Sequence, residues 1–191
     1  MNAISSIAAA TSEFLRDPDS VGSVFPASSY MVRRTLAPIE WNDVDLMVEF
    51  GPGTGRFTFE ALARMKPSAR LLAIEPGEAF VDHLRSTSHD ARLIVVKGEA
   101  QQVRDIMDSY GFAQASCILS GIPFSTIEPG DAITIAERSR QALGRDGMFV
   151  AYQMRRKIEH YLERRFKIAR RGYALWNIPP CHLYWATPAK T

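Results

Sequence analysis

At 191 residues the chain has the usual length of one domain, enough to bury a substantial core and short for two catalytic lobes. Apolar residues make up 46% and charged residues 23%, close to average usage, which argues against a disordered chain, a collagen-like array or a disulfide scaffold. A net charge of +2 does not by itself call for nucleic acid, and no apolar run approaches the roughly 18 residues of a membrane span. Residues 1–10 lack the basic start of a secretory signal, so the expectation is cytoplasmic residence. Cys117 and Cys181 have no metal spacing, and no metal site is expected.

In chain order, the first predicted element is a short amphipathic helix over 2–16, where Ile4, Ile7, Ala8, Phe14 and Leu15 recur at helical spacing. Asp17-Pro18-Asp19 stops it, and Phe25-Pro26-Ala27-Ser28 makes a second break in which Ser28 can cap a helix running towards Leu36. After Asn42, apolar runs of strand length alternate with helical stretches, the mark of βαβ units and a mostly parallel sheet. Strands are expected at 46–50, 71–75, 92–97, 115–119 and 147–153. Helices are expected at 57–65, 79–86, 103–110 and 132–142, the last stopped by Gly144. The tail, 166–176 and 182–186 around Ile178-Pro179-Pro180, reads as a closing antiparallel pair. The expected fold is α/β, a Rossmann-like doubly wound seven-stranded sheet, mostly parallel with a C-terminal antiparallel pair. A single domain would span 1–191, with 1–40 as an N-terminal amphipathic helix and lid and 44–191 as the core.

Between Arg155 and Arg171 stand eight basic residues against only Glu159 and Glu163. This excess faces either water, as a solvated helix face, or an anion.

Gly51-Pro52-Gly53-Thr54-Gly55 directly follows a strand and opens a helix, where glycines let backbone approach a ligand and aim helix-terminal N–H groups at it. Glu75 ends the next strand, twenty positions after Gly55, where a carboxylate can accept both hydroxyls of an adenosine ribose. Dinucleotide binders space their glycines G-x-G-x-x-G; here the third comes one position earlier, which favours S-adenosylmethionine. That cofactor has no pyrophosphate, and Glu49 offers negative charge to its ammonium end. The pattern resembles class I methyltransferases, with Glu49 to Gly55 matching their first motif and Glu75 their ribose-binding acid. The resemblance implies cofactor contacts at Glu49, Gly51, Pro52, Gly53, Gly55, Glu75 and Pro76, and at Glu99 and Ala100 beside the adenine.

Ser120-Gly121-Ile122-Pro123-Phe124 follows the fourth strand, at the carboxyl edge where open α/β sheets place ligands. Its form is similar to the Asn-or-Asp, Pro, aromatic signature of amine-directed methyltransferases, with serine in place of the amide or acid. Phe14-Leu15-Arg16-Asp17-Pro18, Val21-Gly22, Pro26-Ala27-Ser28-Ser29, Ser120-Gly121-Ile122-Pro123 and Asn177-Ile178-Pro179-Pro180 together resemble bacterial phospholipid N-methyltransferases, over nearly the whole chain. Two departures stand out: Glu99 where Asp is commoner, and Gln153-Met154 where the family often has a Tyr-Gly-Pro-like turn. The resemblance implies transfer to the amine of phosphatidylethanolamine or a related lipid at an anionic membrane surface, possible peripheral placement at the inner membrane face, and a lid over the cofactor that includes Ser28 and Ser29. It places Ser120, also a cofactor contact, with Phe124 and Tyr30 at the reacting amine. Tyr152 and Trp176 are further aromatic candidates for the ammonium product, and His160 and His182 are the histidines within reach of a proton role. The rival readings are an rRNA adenine N-methyltransferase-like enzyme, a small-molecule methyltransferase and a non-catalytic adenosylmethionine-binding module.

Overall fold

The structure is a computed structural model, and it describes residues 27–189. The helix expected over 2–16 and the family segments before Ala27 lie outside the described residues.

Seven strands form one sheet in the order β3-β2-β1-β4-β5-β7-β6. They are β1 (Leu46–Phe50), β2 (Arg70–Glu75), β3 (Leu93–Lys97), β4 (Ala115–Ser120), β5 (Leu143–Gln153), β6 (Phe166–Ala174) and β7 (Cys181–Pro188). The first five run parallel, and β7 pairs antiparallel with both β5 and β6. Among the described residues six α-helices accompany them: α1 (Ser29–Leu36), α2 (Arg56–Leu62), α3 (Glu78–Thr87), α4 (Val103–Ser109), α5 (Pro129–Ala142) and α6 (Ile158–Leu162). This is the doubly wound α/β fold that the alternation predicts.

Central parallel strands are covered on both faces, so their sequences read as continuous apolar runs. All five residues of β1 are buried: Val48 and Phe50 pack towards α4, α5 and α6, and Met47 towards α1 and α2. Strand order reverses between β1 and β4. The crevice at such a switch point, outside the carboxyl ends of the strands, is where open α/β sheets bind ligands. Here it is bordered by Gly51, whose N–H donates to the Ile74 carbonyl (3.0 Å), and by Gly121, whose N–H donates to the Phe50 carbonyl (3.0 Å).

The structure corrects two sequence readings. The helix expected over 132–142 does end at Ala142, but Gly144 is not its stop: Leu143 is already extended and paired with Ala115, so β5 starts at Leu143 rather than at Gly147 and includes Gly144. A register shift follows between Ala115 and Cys117, which lets a glycine-rich stretch lie within a strand. The basic segment is not one helix face: Ile158–Leu162 is a short helix, and Phe166–Ala174 is the edge strand β6.

Candidate active site

The glycine loop turns between β1 and α2 with Gly51, Gly53 and Gly55 at φ values of 65°, 53° and 82°, the left-handed region that side chains rarely adopt. Gly55 cannot be otherwise: a Cβ there would press within 3 Å of the Phe59 ring and of Leu84. At Gly53 a Cβ would meet nothing within 4 Å, so the backbone at the loop's crest borders open space. Such a cradle fits a ligand that approaches the peptide plane itself.

Glu75 holds this loop. Its Oε2 accepts the N–H of Gly53 (3.1 Å) and its Oε1 that of Gly77 (2.9 Å). The residue is buried, and burial raises its carboxyl above the usual range against the two backbone bonds that lower it, with the charge of Glu99 adding to the rise. A carboxylate has about four lone-pair sites, so two stay available to a pair of ligand hydroxyls. Glu49 lies one strand away, equally buried, its Oε2 accepting the Thr58 hydroxyl at 2.6 Å. Burial pushes its carboxyl up to about 7, opposed by that hydroxyl and helped by the charge of Glu75.

Gly51, Ile74, Pro76, Glu99, Ala100 and Ile122 line a cleft of about 730 Å³ beside the loop, within the usual size range of small-molecule sites. Glu99 caps the short 3-10 helix Ala100–Gln102 in a reciprocal box, its side chain accepting from the Gln102 N–H while Gln102 Oε1 accepts from the Glu99 N–H (2.9 Å). The expected adenine-side residues therefore share one wall. The donor set is acidic and hydroxyl-binding, and it fits the cationic, ribose-bearing S-adenosylmethionine.

The turn after β4 forms the other border. Ser120 is fully buried and pairs in the sheet with Phe50 and Ala151, so its side chain shares their face of the sheet; its hydroxyl has no hydrogen-bond partner among the described residues. Phe124 is also fully buried, its ring 6.1 Å from Tyr161 in the core. The structure thus brings the backbone of Phe124 to the turn and its ring to the interior. Gln153, singled out in the sequence as a departure from the family pattern but given no role there, is buried at the end of β5; its Oε1 accepts the Phe124 N–H (3.1 Å) and its Nε2 donates to the Ile122 carbonyl (2.7 Å). The unusual Gln153 is therefore the clamp of the turn. Gly121 is required because a Cβ would overlap the hydroxyl of Tyr152. Tyr152 stacks on Phe57 (4.6 Å between centroids, 14°), and burial, then the charge of Glu49, push its phenol up.

Ser28 caps α1 by accepting the Met31 N–H (3.1 Å), while its hydroxyl donates to the Trp176 carbonyl (2.7 Å) and its N–H to Asn177 Oδ1 (2.8 Å). Ser29 Oγ accepts from Arg56 Nη2 (2.7 Å), and Arg56 Nε donates to the Ala27 carbonyl (3.1 Å). Arg56 is the first residue of α2, so the segment before α1 is bonded both to the helix that leaves the glycine loop and to the β6–β7 turn. Tyr30 is half-buried with Arg34 over its ring at 5.9 Å. His182 lies ring to ring with Tyr173 (4.9 Å), and His160 with Tyr161 (5.5 Å). Cys117 and Cys181 are buried free thiols, raised by burial to about 12 and about 11, which keeps them protonated.

Sheet order, glycine loop and strand-end acid define a class: the chain is an S-adenosylmethionine-dependent methyltransferase with the class I fold. Among curated proteins it is similar to the ornithine lipid N-methyltransferase of Singulisphaera acidiphila, 25% identical over 180 residues that cover 93% of this chain and 94% of the relative. Among solved structures it is similar to precorrin-6y C5,15-methyltransferase from Geobacter metallireducens (TM-score 0.66, 15% identity, 91% of this chain and 96% of that one). It is also similar to Aeropyrum pernix fibrillarin with natively bound S-adenosyl-L-methionine (TM-score 0.61, 12% identity, 76% and 67%). TrmN from Thermus thermophilus aligns at a TM-score of 0.66 and 12% identity over 83% of this chain, which spans about half (48%) of that protein. No protein-family model matches the chain. At these identities the solved structures speak for the fold.

Proposed function

We propose that the chain moves methyl groups to the amine of a lipid headgroup, phosphatidylethanolamine or a related amine lipid. The observation that carries this reading is the match to a lipid N-methyltransferase along almost the full length of both chains. The cofactor supplies an electrophilic methyl on a sulfonium. Transfer is an in-line displacement: the neutral amine's lone pair forms the new C–N bond as the C–S bond breaks, sulfur keeps that electron pair, and the product ammonium releases its proton to water.

The protein's contribution is binding and positioning. Glu75 takes the ribose hydroxyls on its free lone pairs, Glu49 faces the cofactor's ammonium, and Pro76, Glu99 and Ala100 hold the adenine side, with Gly51, Pro52, Gly53 and Gly55 as the backbone cradle. Ser28 and Ser29 belong to a lid. Ser120, Phe124 and Tyr30 border the acceptor, Ser120 with a hydroxyl that lacks a partner among the described residues and Phe124 through the turn that Gln153 holds. Among the described residues no helix is long and apolar enough to cross a membrane; the acceptor is reached from a bilayer surface, with the basic segment 155–171 towards anionic headgroups.

The test is isotope transfer. Full-length protein with labelled S-adenosylmethionine is offered phosphatidylethanolamine vesicles, ornithine-lipid vesicles, RNA and soluble amines in separate reactions. The expected result is label in an amine lipid. Label only in RNA or in a soluble amine overturns the lipid acceptor, and no transfer to any acceptor, with the cofactor bound, would favour a binding module.

A further inference from the structure

Among the described residues seven large apolar side chains are exposed, and five of them collect at one edge: Met154, Tyr173, Leu175, Trp176 and Ile178. The register explains the gathering. Gln153 pairs with His182 and His182 with Tyr173, so the end of β5, the start of β7 and the end of β6 lie in one row. Beyond that row projects the β6–β7 turn, residues 175–180, with Leu175, Trp176 and Ile178 at 60%, 73% and 72% exposure.

The turn is built to hold these groups outward. Asn177 is buried within it, accepting from Ser28 and donating through Nδ2 to the Pro179 carbonyl (2.7 Å), and Ala174 and Cys181 on either side are buried too. From the same edge, one residue after the end of β5, come Arg155, Arg156 and Lys157, all exposed. Arg156 pairs with Glu159 at 2.7 Å, whereas Arg155 and Lys157 have no acidic partner among the described residues. An apolar tip that protrudes from a cationic collar suits a fluid anionic interface: indole rings settle at the headgroup level, aliphatic groups reach the acyl boundary, and basic groups meet phosphates. A second copy of the chain fits poorly, because two such collars would face each other with like charge.

We infer that the β6–β7 turn is a membrane-docking element, with Leu175, Trp176 and Ile178 entering the interface of an anionic bilayer and Arg155, Arg156 and Lys157 resting on its headgroups. The inference deepens the lipid-amine reading by naming the surface that edge of the site meets. Docked this way, the edge that carries Gly121, Tyr152 and Ser28 faces the headgroups.

The test uses the full chain with vesicles of phosphatidylcholine and phosphatidylglycerol in equal parts, and of phosphatidylcholine alone, at low salt. Trp176 is the reporter, read as the emission that Trp176→Phe removes. The expected result is cosedimentation with the anionic vesicles, a blue shift of Trp176 and its protection from acrylamide. Leu175→Ser with Ile178→Ser should weaken vesicle binding roughly tenfold or more, while S-adenosylhomocysteine affinity stays unchanged; Arg155→Gln with Lys157→Gln should make the remaining binding less salt-sensitive. The inference is overturned by any of four results: no binding to anionic vesicles, a Trp176 that stays water-exposed in bound protein, a serine variant that binds like wild type, or a Trp176 already shielded without vesicles by another part of the chain or a second copy. Docking and transfer are read separately: docking without label in lipid leaves this inference standing and removes the lipid acceptor.

Discussion

Replacing Glu49 with glutamine should make the ligand-free protein more stable and bind its cofactor less well. In the fold, burial raises this carboxyl from its ordinary 4.5 to about 7, so the neutral form is the favoured one. The stability that goes with the neutral form is fully present below the unfolded value of 4.5 and is lost as pH rises through about 7. Two to three pH units at about 1.4 kcal/mol each amount to about 3 kcal/mol by pH 8. Glutamine avoids that cost and can still accept the Thr58 hydroxyl, so at pH 8 the melting temperature should rise by several degrees, at about 2–4 °C per kcal/mol for a chain of this size. A bound ammonium reverses the balance, because it stabilises the carboxylate and binding then expels a proton below pH 7. From pH 7.5 to 5.5 the ionised fraction falls from about three quarters to about 3%, so affinity should drop roughly twentyfold. Calorimetry with S-adenosylhomocysteine, in two buffers of different ionisation enthalpy, counts the protons released. Glu75, also raised, adds its own slope at the acid end, so Glu49→Gln should show a shallower dependence rather than a flat one. An unchanged slope in Glu49→Gln, or wild-type affinity that does not vary between pH 5.5 and 7.5, would refute the assignment of Glu49 to the ammonium.

Glu75→Ala removes both the proposed ribose acceptor and the tie to Gly53 and Gly77, and should cost about 1.5–3 kcal/mol of cofactor binding, roughly ten- to a hundredfold by calorimetry. Gln153→Leu frees the turn at Ile122 and Phe124; turnover should fall at least roughly tenfold while S-adenosylhomocysteine affinity holds, a split that equal losses in both would contradict. Gly121→Ala should be inactive through collision with Tyr152, and adding Tyr152→Phe should return part of the activity; no return in the double variant would place the fault elsewhere. Asn177→Ala strands the Ser28 N–H and should lower stability by about 1–3 kcal/mol in denaturant unfolding.

How much of this was legible depended on whether the signal is local. β1 is observed where expected, because a strand buried on both faces must be apolar throughout. The glycine loop was legible for a related reason: a tight strand-to-helix turn with positive φ demands glycine, and the acid at the end of the next strand has a characteristic spacing. The start of β5 was misread because Gly144-Arg145-Asp146-Gly147 has the composition of a turn, while its pairing comes from Ala115 on another strand. α6 was missed because five residues show no period. Gln153 and Asn177 were hidden for a stronger reason. Their amides bridge groups 29, 31 and 149 positions away, and nothing in the neighbouring residues announces such a bond.

The distribution of charge along the carboxyl edge ties these features together. Glu49 is the last residue but one of β1, Glu75 ends β2 and Glu99 follows β3, so one half of the edge is acidic. Arg155, Arg156 and Lys157 follow β5, so the other half is basic. Glu49 and Glu75 are buried, and burial of carboxylates is costly without a cation, which explains their raised carboxyls and suits a ligand bearing a sulfonium and an ammonium. The basic half suits an anion, and in the proposed docking phosphate-bearing headgroups would supply it. Between the halves lies β4 with the turn at residues 120–124, and in the proposed reaction a cationic donor held by the acids and an amine presented from an anionic surface would meet there.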